Sequence, residues 1–308
     1  MGRVQGRLPT GSPSKRRHHY PQLYLKLNLK SNSERMRAPH ASCLRVRELT
    51  ESPEVLLSRQ GRASVITLNR PACLNAINEP MVRAFIAALR EANADEATAA
   101  IVLHGSGKAF CAGDDLTAHE APEDVDEMTM RARVDVMQQV SREIMFGVKP
   151  VIAAVHGWAV GGGFEWAINC DAVIWSEEAR AFFPEIEWGM FVSGGVTALL
   201  PRLIGPQRAF RWIMGGEHLD GKALNEAGLV TEIAPTGQHL EAAFALAQRI
   251  ASRPAKAVRN LKRAINLLER DRIEAAMAEE TINLAASLLD AEVTARVAGF
   301  KVRGSEAL

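Results

Sequence analysis

Val55-Leu56-Leu57-Ser58, then Arg59-Gln60-Gly61-Arg62, then Ser64-Val65-Ile66-Thr67-Leu68 reads as a β-hairpin with a glycine turn. Pro71 closes the second strand, and Pro80 to Ala92 follows as an amphipathic helix with Met81, Phe85, Ile86 and Leu89 on one face. A hairpin and one helix cannot bury both faces of a sheet, so successive units must stack on one another. The chain supplies them. Ala99 to His104 is a buried strand, about Asp124 to Phe146 a polar helix containing methionines, and Pro150 to Val155 a second buried strand. A helix then opens at Gly163 and runs through Cys170, followed by strands at Asp171–Trp175 and Arg180–Phe183. Helices are expected near 195–204, 206–214, 221–227 and 236–251, and 254–300 is almost wholly helical in pattern. The fold class is α/β: a spiral of stacked β-β-α units with a helical C-terminal region. No self-similarity at a fixed period accompanies it, so the repetition is structural.

The bulk numbers set limits. With 308 residues, 47% apolar content and a mean hydropathy of -0.07, the chain can bury a sizeable core. No stretch reaches eighteen apolar residues, so no membrane-spanning helix is expected. The four cysteines, Cys43, Cys73, Cys111 and Cys170, form no CxxC pair, which argues against a zinc site and against a disulfide framework and fits a reducing compartment. Eleven of the 37 basic residues but one of the 36 acidic ones lie in 1–47, so this tail carries +10 and the rest of the chain −9. Three readings fit the tail: translated sequence upstream of a true start such as Met36, an Arg- and Ser-rich mitochondrial presequence, or a nucleic-acid-binding arm. The expected organisation is a basic, disordered extension over 1–50, a core with the active site over 51–253, and a helical region over 254–308.

Three frames carry chemistry. They are Lys108-Ala109-Phe110-Cys111-Ala112-Gly113-Asp114-Asp115-Leu116, Gly157-Trp158-Ala159-Val160-Gly161-Gly162-Gly163-Phe164-Glu165, and Phe182-Phe183-Pro184-Glu185-Ile186. The glycine run lets backbone approach a ligand closely, and it precedes a helix whose free N–H groups favour an anion. A lone glutamate is ordinarily a solvated surface group. Glu165 departs from that pattern because Phe164, Trp166 and Ala167 surround it at the start of an apolar helix, and Glu185 follows Phe182-Phe183-Pro184 at a strand end. Glu187 is either a second pocket acid or a solvent-facing strand residue. Cys111 has no visible paired base and reads as a small wall residue, and His156 reads as a satisfied core histidine. Phe164, Trp166, Phe182, Phe183, Trp188 and Phe191 read as core first and pocket lining second.

From Val55 onward the chain resembles the crotonase, or enoyl-CoA hydratase/isomerase, superfamily. The resemblance rests on Asn69-Arg70-Pro71-Ala72-Cys73-Leu74-Asn75-Ala76, the three frames above, and Leu219-Asp220-Gly221-Lys222-Ala223 leading to Ala227-Gly228-Leu229-Val230. It implies a crotonase-like spiral and an oxyanion hole made by the N–H groups of Asp114 and Gly162. Losing one such donor costs about 2.7–4 kcal/mol. It implies that Glu165 orients and deprotonates water while Glu185 donates the α-proton. Asp114 stands where a small residue is usual, and because a carboxylate facing an enolate repels it, its side chain is expected to turn away or to be paired.

The resemblance also implies coenzyme A contacts at Cys73, Ala76, Ala112, Asp114, Leu116, Gly161 and Gly162. Further contacts fall at Phe300, Lys301 and Arg303, from the same or a neighbouring subunit. Ala72 stands where a lysine is frequent. The loop Gly189-Met190-Phe191-Val192-Ser193-Gly194-Gly195 lacks a common proline, which leaves the acyl specificity open. The expected activity is hydration of a 2-trans-enoyl-CoA, with no metal or redox cofactor because coenzyme A belongs to the substrate. The expected assembly is a homotrimer or a dimer of trimers packed through the C-terminal helices, located in the cytoplasm or, if 1–47 is a presequence, in the mitochondrial matrix. Enoyl-CoA isomerisation, other acyl-CoA lyase or hydrolase chemistry, and RNA binding through the basic tail are the competing readings.

Overall fold

A computed structural model describes residues 53–116 and 125–306, with side chains through Ala298. The hairpin is present as β1 (Val55–Gln60) and β2 (Ala63–Leu68), paired antiparallel. A 3-10 turn at Pro71–Cys73 leads to α1 (Glu79–Ala94), where the Asn78 side chain accepts from Met81 N–H at 2.9 Å and Pro80 occupies the first turn. Next come β3 (Ala100–Gly105), α2 (Glu127–Phe146), β4 (Val151–Val155), β5 (Trp158–Val160) and α3 (Gly162–Asn169). They are followed by β6 (Ala172–Ser176), β7 (Arg180–Phe182), α4 (Glu185–Trp188), α5 (Val196–Ile204), α6 (Pro206–Gly215) and β8 (Leu219–Asp220). The chain continues through α7 (Gly221–Glu226), β9 (Glu232–Ala234), α8 (His239–Ala251), α9 (Ala255–Leu267), α10 (Arg270–Leu288) and α11 (Ala291–Glu306).

The strands form two sheets. The larger has the order β1-β2-β3-β4-β6-β9 and is parallel beyond the first hairpin, and the smaller has the order β5-β7-β8. Single parallel bridges, Ile77 to Asp114 and Cys111 to Ala159, link the earlier turns in the same sense. Each turn of the spiral therefore adds one long strand and one short extended piece. The strands at Trp158–Val160, Leu219–Asp220 and Glu232–Ala234 escape the sequence reading because two or three residues carry no period-2 signal. Glu185 begins a one-turn helix rather than ending a strand, and Glu187 is an exposed residue of that helix rather than a strand residue.

The larger sheet is buried on both faces, which is why β3 and β4 are unbroken apolar runs. Ile101, Leu103, Val151, Ala153 and Val155 pack toward α1, α2 and α3, while Val102, Ile152 and Ala154 pack toward Ala243 and Ala247 of α8. The C-terminal helices are fastened by a buried lysine. Lys262 of α9 donates to Ile144 C=O at 2.7 Å, Lys149 C=O at 2.8 Å and Asp171 Oδ2 at 2.7 Å.

The turn before α1 is unusual. Leu74 and Asn75 both have left-handed backbones, with φ of 53° and 57°. The Asn75 side chain holds them there. Its Oδ1 accepts from Arg70 N–H at 2.8 Å, and its Nδ2 donates to Ser106 C=O at 2.9 Å and Ala109 C=O at 2.8 Å. This buried amide ties the first turn of the spiral to the loop of the second. Asn75→Ala deletes all three bonds and strands buried carbonyls. The denaturation midpoint followed by tryptophan fluorescence is expected to fall by the equivalent of about 2–4 kcal/mol; a change below about 0.5 kcal/mol would show that the turn is held by something else.

Candidate active site

The chain returns repeatedly to one cavity. Ile77 and Asp114 enter from the first two turns, Met137 and Ser141 from α2, and Gly162, Glu165 and Trp166 from α3. Glu185 comes from α4, Phe191 and Ser193 from the loop after it, and Leu284 from α10. Both candidate carboxyls and both candidate oxyanion donors thus face the same space.

Gly162 opens α3, so its N–H has no partner within the helix. Asp114 pairs with Ile77 through its neighbours: Ile77 N–H donates to Gly113 C=O at 2.8 Å and Asp115 N–H to Ile77 C=O at 2.9 Å. Asp114's own amide therefore lies on the other side of that bridge. Asp114 lines the cavity, and its charge pushes up both glutamates. The neighbouring Asp115 is buried and ion-paired with Arg70 at 2.9 Å.

Glycine is obligatory at two points here. Gly161 has φ +50° and lies directly under the Glu185 carboxyl, so that an added Cβ would collide with Oε1. A Cβ on Gly163 would sit 2.6 Å from Cys111 Cβ. Cys111 is fully buried, donates to Asn75 C=O at 3.1 Å, and has its thiol pushed up to about 12 by burial; it is a wall residue and no nucleophile.

The two glutamates differ in their surroundings. Glu165 is 2% exposed and accepts two bonds from Ser193, the N–H to Oε1 at 2.9 Å and the hydroxyl to Oε2 at 2.6 Å. Burial pushes its carboxyl up to about 7, the Ser193 bonds oppose that rise, and the charges of Glu280 and Asp114 add to it. Glu185 is half-buried as a residue, but its Oε2 is shielded from solvent and has no hydrogen-bond partner. Burial first, then the charge of Glu165, hold its carboxyl well above the usual range. The pair can therefore hold one ionised and one protonated carboxyl near neutrality.

The other candidates are placed as follows. Ala76 N–H already donates to Cys73 C=O at 3.0 Å, and Ala112 N–H to Leu74 C=O at 3.0 Å, so these backbone groups are partly engaged within the protein. Leu116 is buried in an apolar cluster with Met190, Leu284 and Val293. The side chains of Phe300, Lys301 and Arg303, like the tail 1–47, lie outside the described residues. His156 bonds Gly107 C=O through Nε2 and stacks on His239, but its Nδ1 is buried without a partner, so it is only half satisfied.

Phe164, Phe182 and Phe183 are core, whereas Trp166 and Phe191 line the cavity. Glu187 is absent from the wall. Sequence reasoning misses Ile77, Met137, Ser141, Ser193 and Leu284 as wall residues because no local pattern marks them.

Burial without a cation has a cost that can be measured. A carboxyl raised from 4.5 to about 7 binds its proton more tightly in the folded state, so the stability it contributes is complete below about pH 4.5 and lost as pH rises through 7. At pH 8 the ionised Glu165 costs on the order of 2–3 kcal/mol. Glu165→Gln is expected to melt higher than the parent at pH 8, with the gap closing toward pH 5; equal melting temperatures at both pH values would remove the premise that burial raises the proton affinity of Glu165.

Comparison with known proteins follows the geometry. The model of the family "Enoyl-CoA hydratase/isomerase" matches residues 59–302. A protein of Rhizobium meliloti (strain 1021), named a probable enoyl-CoA hydratase, is 38% identical over 212 residues, covering 69% of this chain and 80% of the relative. The 2,3-dehydroadipyl-CoA hydratase of Escherichia coli (strain K12) is 33% identical over 228 residues, covering 74% and 87%. The crystal structure of an enoyl-CoA hydratase/isomerase from Pseudoalteromonas atlantica T6c superposes with a TM-score of 0.73 at 27% identity, covering 81% of this chain and 97% of that one.

Proposed function

Since the chain belongs to the enoyl-CoA hydratase/isomerase family, we propose that it is an enoyl-CoA hydratase, adding water across a 2-trans double bond conjugated to a coenzyme A thioester. The observation that carries this reading is the inequality of the two buried carboxyls. Donors on Glu165 favour its anion, while the unpartnered Oε2 of Glu185 favours its acid. Glu165 takes a proton from water as the water oxygen bonds to C3. The displaced π electrons move to the thioester oxygen, where the N–H groups of Gly162 and Asp114 stabilise the enolate. The enolate collapses as C2 takes the proton of Glu185. Proton exchange from Glu165 to Glu185 then resets the site. The scheme draws on no metal or redox group, and coenzyme A enters and leaves as part of the substrate.

Glu165→Gln and Glu185→Gln are each expected to lower kcat by about 10²–10⁴ on crotonyl-CoA while leaving coenzyme A binding near that of the parent. The loss of enoyl absorbance measures this directly. The kcat/KM profile should rise through about pH 7 as Glu165 ionises and fall at higher pH as Glu185 does. Full activity in either variant removes the assignment. Coenzyme A binding without hydration of any short, long or aromatic enoyl-CoA would move the reaction to isomerisation or another acyl-CoA chemistry of this family.

A homotrimer or a dimer of trimers goes with this reading. Leu261, Ile265 and Leu268, on and just after α9, stand exposed at helical spacing, as do Phe210 and Met214 on α6. Apolar rows of that kind are covered in working proteins, here by a second copy of the chain. Leu261→Asp/Ile265→Asp is expected to shift the mass in light scattering from three or six chains to one; a parent protein that is itself monomeric refutes the assembly. No helix among the described residues is long and apolar enough to cross a membrane. The protein is assigned to the cytoplasm, or to the mitochondrial matrix if 1–47 acts as a presequence.

A further inference from the structure

Ser193 reaches Glu165 twice, and the scheme above uses those bonds for the charge they favour but not for the direction in which they hold the carboxyl. The amide alone fixes one oxygen and leaves the carboxyl plane free to turn, because the terminal torsion of glutamate is broad. The hydroxyl on Oε2 at 2.6 Å, together with the amide on Oε1 at 2.9 Å, fixes the plane. Each carboxylate oxygen retains acceptor capacity for a water in the cavity.

The loop that carries Ser193 is itself held from three helices. Gly194 N–H donates to Gln138 Oε1 of α2 at 2.9 Å, and Asn169 Nδ2 of α3 donates to Gly194 C=O at 2.9 Å. Gly195 N–H and Thr197 N–H donate to the two oxygens of Glu280 on α10, at 2.7 and 2.9 Å. Gln138, Asn169 and Glu280 are all buried. Gly194 has φ +68°, and a Cβ there would stand 3.2 Å from both Cβ and Oε2 of Glu165, so the loop backbone packs directly against the carboxyl. A hydroxyl at position 193 therefore has one fixed place to point.

We propose that Ser193 is a positioning residue for the hydration step: its paired amide and hydroxyl hold Glu165 in a single orientation and favour the carboxylate that accepts the proton of water. The inference rests on the hydratase reading. The charged groups that act on Glu165 from the surrounding elements are Glu185 of α4, Glu280 of α10 and Asp114, all of them acids. The donors of Ser193 are what opposes them.

The test is a set of kcat/KM–pH profiles on the full-length protein with crotonyl-CoA, for the parent, Ser193→Ala, Ser193→Thr, Glu165→Gln and Glu165→Gln/Ser193→Ala. Ser193→Ala should move the acidic limb up by about one pH unit, a loss of about tenfold below the limb that recovers to within about threefold above it. Ser193→Thr, which keeps the hydroxyl, should keep the limb of the parent. In the Glu165→Gln background the alanine should change the residual rate by less than about twofold, as expected for residues that act as one unit. A folded Ser193→Ala protein that loses activity equally at every pH, or whose limb stays in place, overturns the proposal while leaving the hydratase reading intact. A fully active Glu165→Gln protein overturns both.

Discussion

A buried carboxylate whose charged neighbours, among the described residues, are other acids is the constraint around which this protein is arranged. Glu165 sits at the start of α3, a helix whose other residues after Gly162 are all buried, and the charges that act on it are those of other acids. Such a group survives in a folded protein only if donors meet its oxygens and if its neighbours accept a raised proton affinity. Both conditions are met locally. Ser193 supplies two donors, and Glu185 takes up the surplus proton affinity of the pair. The instability that results is the same property that the proposed hydration draws on for a general base near neutral pH, an exchange of stability for activity.

The spiral provides what that centre requires. Its turns stack in parallel, so the short extended piece of each turn lies beside that of the next, and the ends of these pieces converge on one cavity. Convergence demands close backbone contact, which explains the left-handed Gly161 under the Glu185 carboxyl and the contact of Gly163 with Cys111. It also explains the one place among the described residues where residues other than glycine take the left-handed conformation, Leu74 and Asn75, where a buried side-chain amide bonds two successive turns together. The C-terminal helices complete the wall through Leu284 and brace the Ser193 loop through Glu280.

Much of this was legible beforehand, for definite reasons. The buried strands of the larger sheet announce themselves as unbroken apolar runs because both faces are covered. Glu165 stands out because it interrupts an apolar helix. Glu280 was not singled out, although with Ile273, Met277 and Leu284 it occupies the buried stripe of α10, and an acid in such a stripe needs a partner. The short strands of the smaller sheet were not legible, because their pairing is set by the stacking of turns and by no periodicity of their own. The one-turn helix at Glu185 escapes for the same reason.

The sequence by itself determined the order of the elements, the glycine run ahead of a buried helix, and the identity of the two carboxyls, because periodicity and burial are written locally. Only the tertiary structure decided which acid is the readier anion. That assignment depends on Ser193, 28 positions from Glu165 along the chain, on Glu280 from the C-terminal region, and on the charge of Asp114. Hydrogen-bond donors and charges act through space, so the difference between the two glutamates exists only once the spiral has brought these residues to one place.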